Sequence, residues 1–191
     1  MNMTTIIAQQ RYDRVARALH WSIALLLLGQ LLFGAQFSTL DLYLEADANW
    51  YRQWMPTHKS VGLTILLLML ARLAWRLTHR PPPLPDAVPT WQRRIAGGNH
   101  IALYALALMQ PVLGLAQSSA YGATTRFWGL FVVPSIVPVQ FSRPNTDTVR
   151  IAAQDLHTAV AVLLAVLIVT HVAAALWHGV VKRDGVLRRM L

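Results

Sequence analysis

The sequence predicts an all-α membrane protein, a four-transmembrane-helix bundle forming one domain over residues 1–191. Three observations predict it. Hydrophobic residues make up 55% of the chain and charged residues only 13%, against about 25% charged in an ordinary soluble domain. Four apolar stretches each approach the roughly 20 residues that a helix needs to cross a bilayer. The Lys and Arg residues, which give a formal charge of +9, gather at the ends of those stretches. A nucleic-acid binder would carry them on one solvated face, so that class is excluded.

The first helix is expected at 18–37, since no charge falls between Arg17 and Asp41. This run is long for the apolar part of a secretion signal, and no small-x-small cleavage site follows it. The second is expected at 58–77. It is the weakest of the four, because only twelve residues separate Lys59 from Arg72. Arg72 therefore either reaches back to the surface or has an anionic partner inside. The third helix is expected at 100–118 and the fourth at 156–181. Between the second and third, HRPPPLPDAVP (79–89) reads as an extended connection. The segment FWGLFVVPSIVP (127–138) is too short and too broken by proline to span, and is expected to lie on the outer surface as a cap.

Charge orients the bundle. With the N-terminus inside, twelve Lys and Arg residues fall at inner positions and five (Arg52, Lys59, Arg126, Arg143 and Arg150) at outer ones. The positive-inside rule then places both termini in the cytoplasm. Trp21, Trp75, Trp91 and Trp177 form an inner aromatic belt, and Trp50, Trp54 and Trp128 an outer one.

The chain has no cysteine. Disulfides, thiolate metal sites and thioether-linked haem are excluded, which leaves histidine as the natural metal ligand. His157 and His171 lie fourteen residues apart in an otherwise apolar stretch. That is nearly four turns, so both rings project from one face about 21 Å apart along the axis. One ring then sits in each leaflet. Pairing by depth sets His20 against His171 on the inner side and His58 against His157 on the outer side. The same step of fourteen leads from His20 to Gly34, from His58 to Arg72 and from His100 to Gly114. A glycine lets a flat macrocycle approach the backbone, and an arginine offers a fixed cation to a carboxylate. Two bis-histidine sites with these neighbours suit two b haems, with Arg72 and Arg76 toward the propionates and Gly34 and Gly114 against the ring system. They suit zinc less well, since zinc wants three or four close protein ligands. His79, beside the prolines, reads as a solvated loop residue. His100 lies at the depth of His20, and His178 lies two turns inward of His171. Both are candidates for a quinone site.

The motifs RYDRVARALHW (11–21), HKSVGLTILLLMLARLAWRL (58–77), NHIALYALALMQPVLGL (99–115) and LHTAVAVLLAVLIVTHVAAALWHGVVKRD (156–184) resemble the bacterial cytochrome b561 family. These are di-haem b-type cytochromes of the inner membrane, and the resemblance covers nearly the whole chain. Carried over residue by residue, it implies His20, His58, His157 and His171 as haem ligands, and a quinone site near the inner haem that includes His178. Some members resemble superoxide oxidases, so the resemblance implies electron transfer from a small periplasmic donor, superoxide, to ubiquinone. The alternative is a cytochrome b anchor subunit of a partner dehydrogenase or hydrogenase. Membrane lipid is an expected partner. A protein partner or a homo-oligomer stays open.

Overall fold

The computed structural model describes residues 11–39, 44–83, 88–137 and 147–191. Four long helices run through it: α1 (Arg14–Ser38), α2 (Glu45–Thr78), α3 (Thr90–Ala120) and α4 (Asp147–Leu176). All four are long and apolar enough to cross a membrane, and the chain is a multi-pass membrane protein. A short antiparallel hairpin, β1 (Thr125–Phe127) and β2 (Phe131–Val133), lies between α3 and α4. Beyond α4 come a π-helical turn (Trp177–Lys182) and a 3₁₀ turn (Leu187–Arg189). Asp41, Arg143, residues 84–87 of the proline-rich connection and Pro138 of the expected cap fall outside the described residues.

Helix α1 starts where Asp13 accepts the N–H of Ala16 at 2.8 Å. This is the side-chain cap that frees few polar donors at a helix start. The bond holds the Asp13 carboxyl below its ordinary range, and Trp75 Nε1, 3.1 Å from the same carboxylate, adds to the effect.

The helices are longer than their apolar cores. Helix α2 begins at Glu45 rather than at His58 and runs for 34 residues, or about 51 Å. It passes through Pro56, which removes a single backbone donor. An aromatic cluster holds the extension: Phe33 and Phe37 near the end of α1 meet Trp50, with ring centres 6.2 and 5.1 Å away. Arg52 and Lys59 are therefore helix residues and not loop cations. Helix α3 likewise starts at Thr90 rather than His100, and α4 at Asp147 rather than Leu156. Polar helix ends project past the hydrocarbon, where hydropathy no longer marks them.

The core is small. Ile23, Ile65, Met69, Ala107 and Leu164, one or two from each helix, meet at the centre. Helix α1 packs on α2, α2 on α3 and α3 on α4, while α1 and α4 do not pack closely. The outer surface of α4 exposes Val162, Val166, Val169, Val172 and Leu176 in one helical stripe. Such a stripe belongs against lipid.

The hairpin touches the end of α3, where Ser118 Oγ lies 2.9 Å from Thr125 Oγ1. It leans on the flank of α2, where the backbone N–H of Trp128 donates to Ser60 Oγ at 3.0 Å and Trp128 Nε1 donates to Thr64 Oγ1 at 3.1 Å. Its turn has positive φ at Trp128 (50°) and Gly129 (75°), the handedness that tight hairpins need.

At the other end of the bundle, the 3₁₀ turn folds back onto the start of α1. The backbone N–H of Tyr12 donates to the Arg189 carbonyl at 3.1 Å, and Trp21 Nε1 to the Met190 carbonyl at 2.8 Å. Arg17 reaches the carbonyl of Leu191, and Arg189 reaches that of Pro82. Gly179 permits this closure, since a Cβ there would sit 2.4 Å from Leu187 Cδ2.

Candidate functional site

Helix α4 holds two histidines fourteen residues apart, and each faces a histidine of another helix. His171 meets His20 of α1 with ring centres 6.3 Å apart and planes at 73°. His157 meets His58 of α2 with ring centres 6.4 Å apart and planes at 76°. An imidazole nitrogen binds a transition metal at about 2.0–2.1 Å, and the ring centre lies about 1.1 Å behind it. Two imidazoles on opposite sides of one ion therefore have centres roughly 6.3 Å apart. Both pairs have that spacing.

The donor set decides what kind of group fits. Among the described residues no three His, Cys, Asp or Glu side chains converge on one point. A bare ion that needs three or four protein ligands has no site here. A group that brings its own equatorial nitrogens needs only two imidazoles, and each pair supplies two. Helices α1 and α4 do not pack closely, and a Cβ on Gly34 of α1 would meet nothing within 4 Å, so the backbone there is open to a bulky flat group. The Nδ1 atoms of His58 and His157 are buried without a hydrogen-bond partner. Buried polar atoms of this kind call for an explanation, and rings oriented for a missing partner provide one.

Gly114 lies against the ring of His157. A Cβ there would sit 3.0 Å from Cε1 of His157, so in this structure the glycine makes room for the histidine ring.

Among the described residues, Arg72 forms its hydrogen bonds with a hydroxyl and a backbone carbonyl. Its Nε donates to the Tyr104 hydroxyl at 2.8 Å and its Nη1 to the Ala16 carbonyl at 3.0 Å. Arg76 lies over the Tyr104 ring, 5.2 Å from its centre. Arg72 and Arg76, with Arg11 and Arg80, line a cavity of about 450 Å³ in which, among the described residues, Asp13 is the one carboxylate. Such a cavity attracts carboxylates.

The two quinone candidates have different neighbours. His100 packs on His171 with ring centres 5.3 Å apart, too close for the two to sit on opposite sides of one ion. His178 sits in the π-helical turn with Nδ1 2.5 Å from Asp184 Oδ2. The chain reverses there through Arg183 (φ 50°) and Gly185 (φ 82°), which returns Asp184 to the histidine. His79 closes α2, stacked on Trp75 with ring centres 3.8 Å apart.

Sequence reasoning missed Asp184, Tyr104 and two glutamines, Gln30 and Gln110, which donate to the backbone carbonyls of His58 and His157. A signal for the glutamines exists: each is an amide in an apolar stretch, ten residues after a histidine. Nothing local marks Asp184, because its approach depends on the reversal after the π-helical turn.

The sequence profile of the family described as prokaryotic cytochrome b561 matches residues 11–191. Among curated proteins, cytochrome b561 homolog 2 of Escherichia coli K12 is 31% identical over 95% of this chain and 92% of the relative. Cytochrome b561 homolog 1 of the same strain is 28% identical, over 95% and 97%. A protein of Yersinia pestis named probable superoxide oxidase CybB is 27% identical, over 95% and 96%.

Proposed function

The chain belongs to the prokaryotic cytochrome b561 family of membrane electron-transfer proteins, which implies b-type haem, and from that premise we propose that it carries electrons from superoxide to ubiquinone across a bacterial inner membrane. His20 and His171 hold an inner haem, and His58 and His157 an outer one. A haem with imidazole on both faces has no open position for O₂ and exchanges one electron at a time. The observation that carries this reading is the matched spacing of the two ring pairs, 6.3 and 6.4 Å, at two depths of one helix.

The balance is simple. Two superoxide anions each lose one electron and leave as O₂, while ubiquinone gains two electrons and two protons. On the outer side, Lys59 and Arg150 are held near the mouth. Lys59 donates to Ser118 Oγ at 2.8 Å and Arg150 Nε to the Ala120 carbonyl at 3.2 Å. Fixed cations there draw a small anion inward. On the inner side, Arg72 and Arg76 hold the haem propionates, and His178 with His100 lines the quinone site. The charge distribution, twelve Lys and Arg at inner positions against five at outer ones, supports cytoplasmic termini.

Two measurements test this. A pyridine haemochrome assay of the purified protein is expected to find two haems per chain, and absence of porphyrin overturns the reading. Stopped-flow mixing with superoxide is expected to show quinone-dependent loss above the spontaneous rate. If the haems stay oxidised with superoxide but reduce on adding a soluble dehydrogenase, the anchor-subunit role takes its place.

The His178–Asp184 contact carries a further prediction. Asp184 orients the imidazole through its contact with Nδ1. Asp184→Asn is expected to leave both haems bound and to slow quinone reduction roughly tenfold or more, a modest share of what a positioned proton donor supplies. His178→Ala is expected to do the same. Unchanged quinone kinetics in both variants would remove the pair from the acceptor site.

A further inference from the structure

Helices α1 and α3 carry the same three residues at the same spacing: His20, Gln30 and Gly34 on one, His100, Gln110 and Gly114 on the other. The helices that follow share a second pattern, His58 with Arg72 on α2 and His157 with His171 on α4, fourteen residues apart in both. The hydrogen bonding repeats as well. Gln30 Nε2 donates to the His58 carbonyl at 2.6 Å, and Gln110 Nε2 donates to the His157 carbonyl at 3.0 Å. Each helical hairpin thus uses an amide on its first helix to grip the backbone of the outer histidine on its second.

We infer that Gln30 and Gln110 are positioning residues for the outer haem, fixing the turn of backbone from which each axial imidazole projects. The inference rests on the reading of His58 and His157 as outer ligands. Physical grounds for it are independent of that reading. An amide in an apolar span is costly unless bonded, yet both are spent on carbonyls that already accept a helical N–H and have one lone pair left. The local sequence makes room for the contacts: a Cβ on Gly62 would lie 3.4 Å from Gln30 Nε2.

The two glutamines differ in reach. Gln110 Nε2 also lies 3.3 Å from Nε2 of the His157 ring. Its Oε1 is buried without a partner, as is Nδ1 of His157. Gln110 therefore bears on both the backbone and the ring, where Gln30 bears on the backbone. A ligand histidine is normally held by a partner on a ring nitrogen, but Nδ1 of His157 has none, so the firmer hold is on the backbone carbonyl. Here the grip comes from an amide.

The test uses the full-length, haem-loaded protein with Gln30→Leu or Gln110→Leu, which keep bulk and remove the amide. Redox titration and low-temperature EPR of the low-spin haems read the outcome, since the EPR anisotropy follows the angle between the two imidazole planes. Gln110→Leu is expected to change the reduction equilibrium of the outer haem about tenfold, or about 59 mV, with an altered outer-haem EPR signal and an unchanged inner one. Gln30→Leu is expected to shift the same haem less. Gln110→Glu, protonated and therefore still a donor in apolar surroundings, is expected to restore most of the outer-haem signal. Unchanged potentials and spectra in both leucine variants would overturn the inference, as would equal shifts of the two haems. Neither result touches the ligand assignment. That assignment fails separately, if His157→Ala keeps both haems.

Discussion

His157→Ala is expected to empty the outer site and leave the inner one loaded. The haem-to-protein ratio falls from two to one, and one component of the reduced-minus-oxidised spectrum disappears. His58 then faces an alanine across a gap sized for a ring, and a single imidazole on one side cannot replace a ring pair spaced at 6.4 Å. The inner pair lies fourteen residues further along α4, about 21 Å away, and keeps both of its members. His171→Ala is expected to do the reverse. The inner case has an added feature, because His171 contacts both His20 and His100. Its removal takes away the residue that the other two share. Haemochrome stoichiometry and difference spectra of membrane-inserted protein check both variants. Equal loss of both haems in either variant contradicts the pairing by depth.

The second large effect needs no change to a histidine. Gly114→Val is expected to empty the outer site as thoroughly as His157→Ala. A single Cβ at Gly114 would already sit 3.0 Å from Cε1 and 3.4 Å from Nδ1 of His157, and valine adds two more methyl groups with a stiff χ1. Helix α3 cannot retreat, because it packs along both α2 and α4. The ring must swing out of line with His58. Gly34→Val is the matched control, since a Cβ at Gly34 meets nothing within 4 Å. If bound haem fills that space, Gly34→Val lowers haem occupancy while leaving the empty protein as stable as before. Thermal unfolding of haem-free and haem-loaded protein separates the two effects. An outer haem unaffected by Gly114→Val would show that the His157 ring can occupy another rotamer and still bind.

The helices and the histidine pairing were legible because both depend on periodicity. An apolar run announces a span, and a step of fourteen returns to one helix face. His157 and His171 could therefore be assigned to two depths without any knowledge of their neighbours. Helix ends were not legible in the same way. Glu45, Asp47 and Arg52 read as loop because hydropathy falls there, yet α2 continues through them, secured by Trp50 and Trp54 against Phe33 and Phe37. The hairpin was hidden by its prolines and by an unusual Trp128 at positive φ. Gly114 leaves space beside the His157 ring, and spacing alone could not say whose atoms would fill it. Asp184 was illegible for a different reason: its meeting with His178 depends on a tertiary reversal, to which no local pattern points.

The turn at residues 187–189 bolts the inner mouth of the α1–α4 seam through Tyr12, Arg17 and Trp21, while the seam itself has little side-by-side packing. The bundle is in effect a door hung at one end. Residues 187–191 leave the ribosome after all four spans have been made, so a freshly inserted chain is unlatched on this side. Ending the chain before residue 187 removes these contacts with Tyr12, Arg17 and Trp21 and is expected to loosen any bound cofactor at this end of the bundle first.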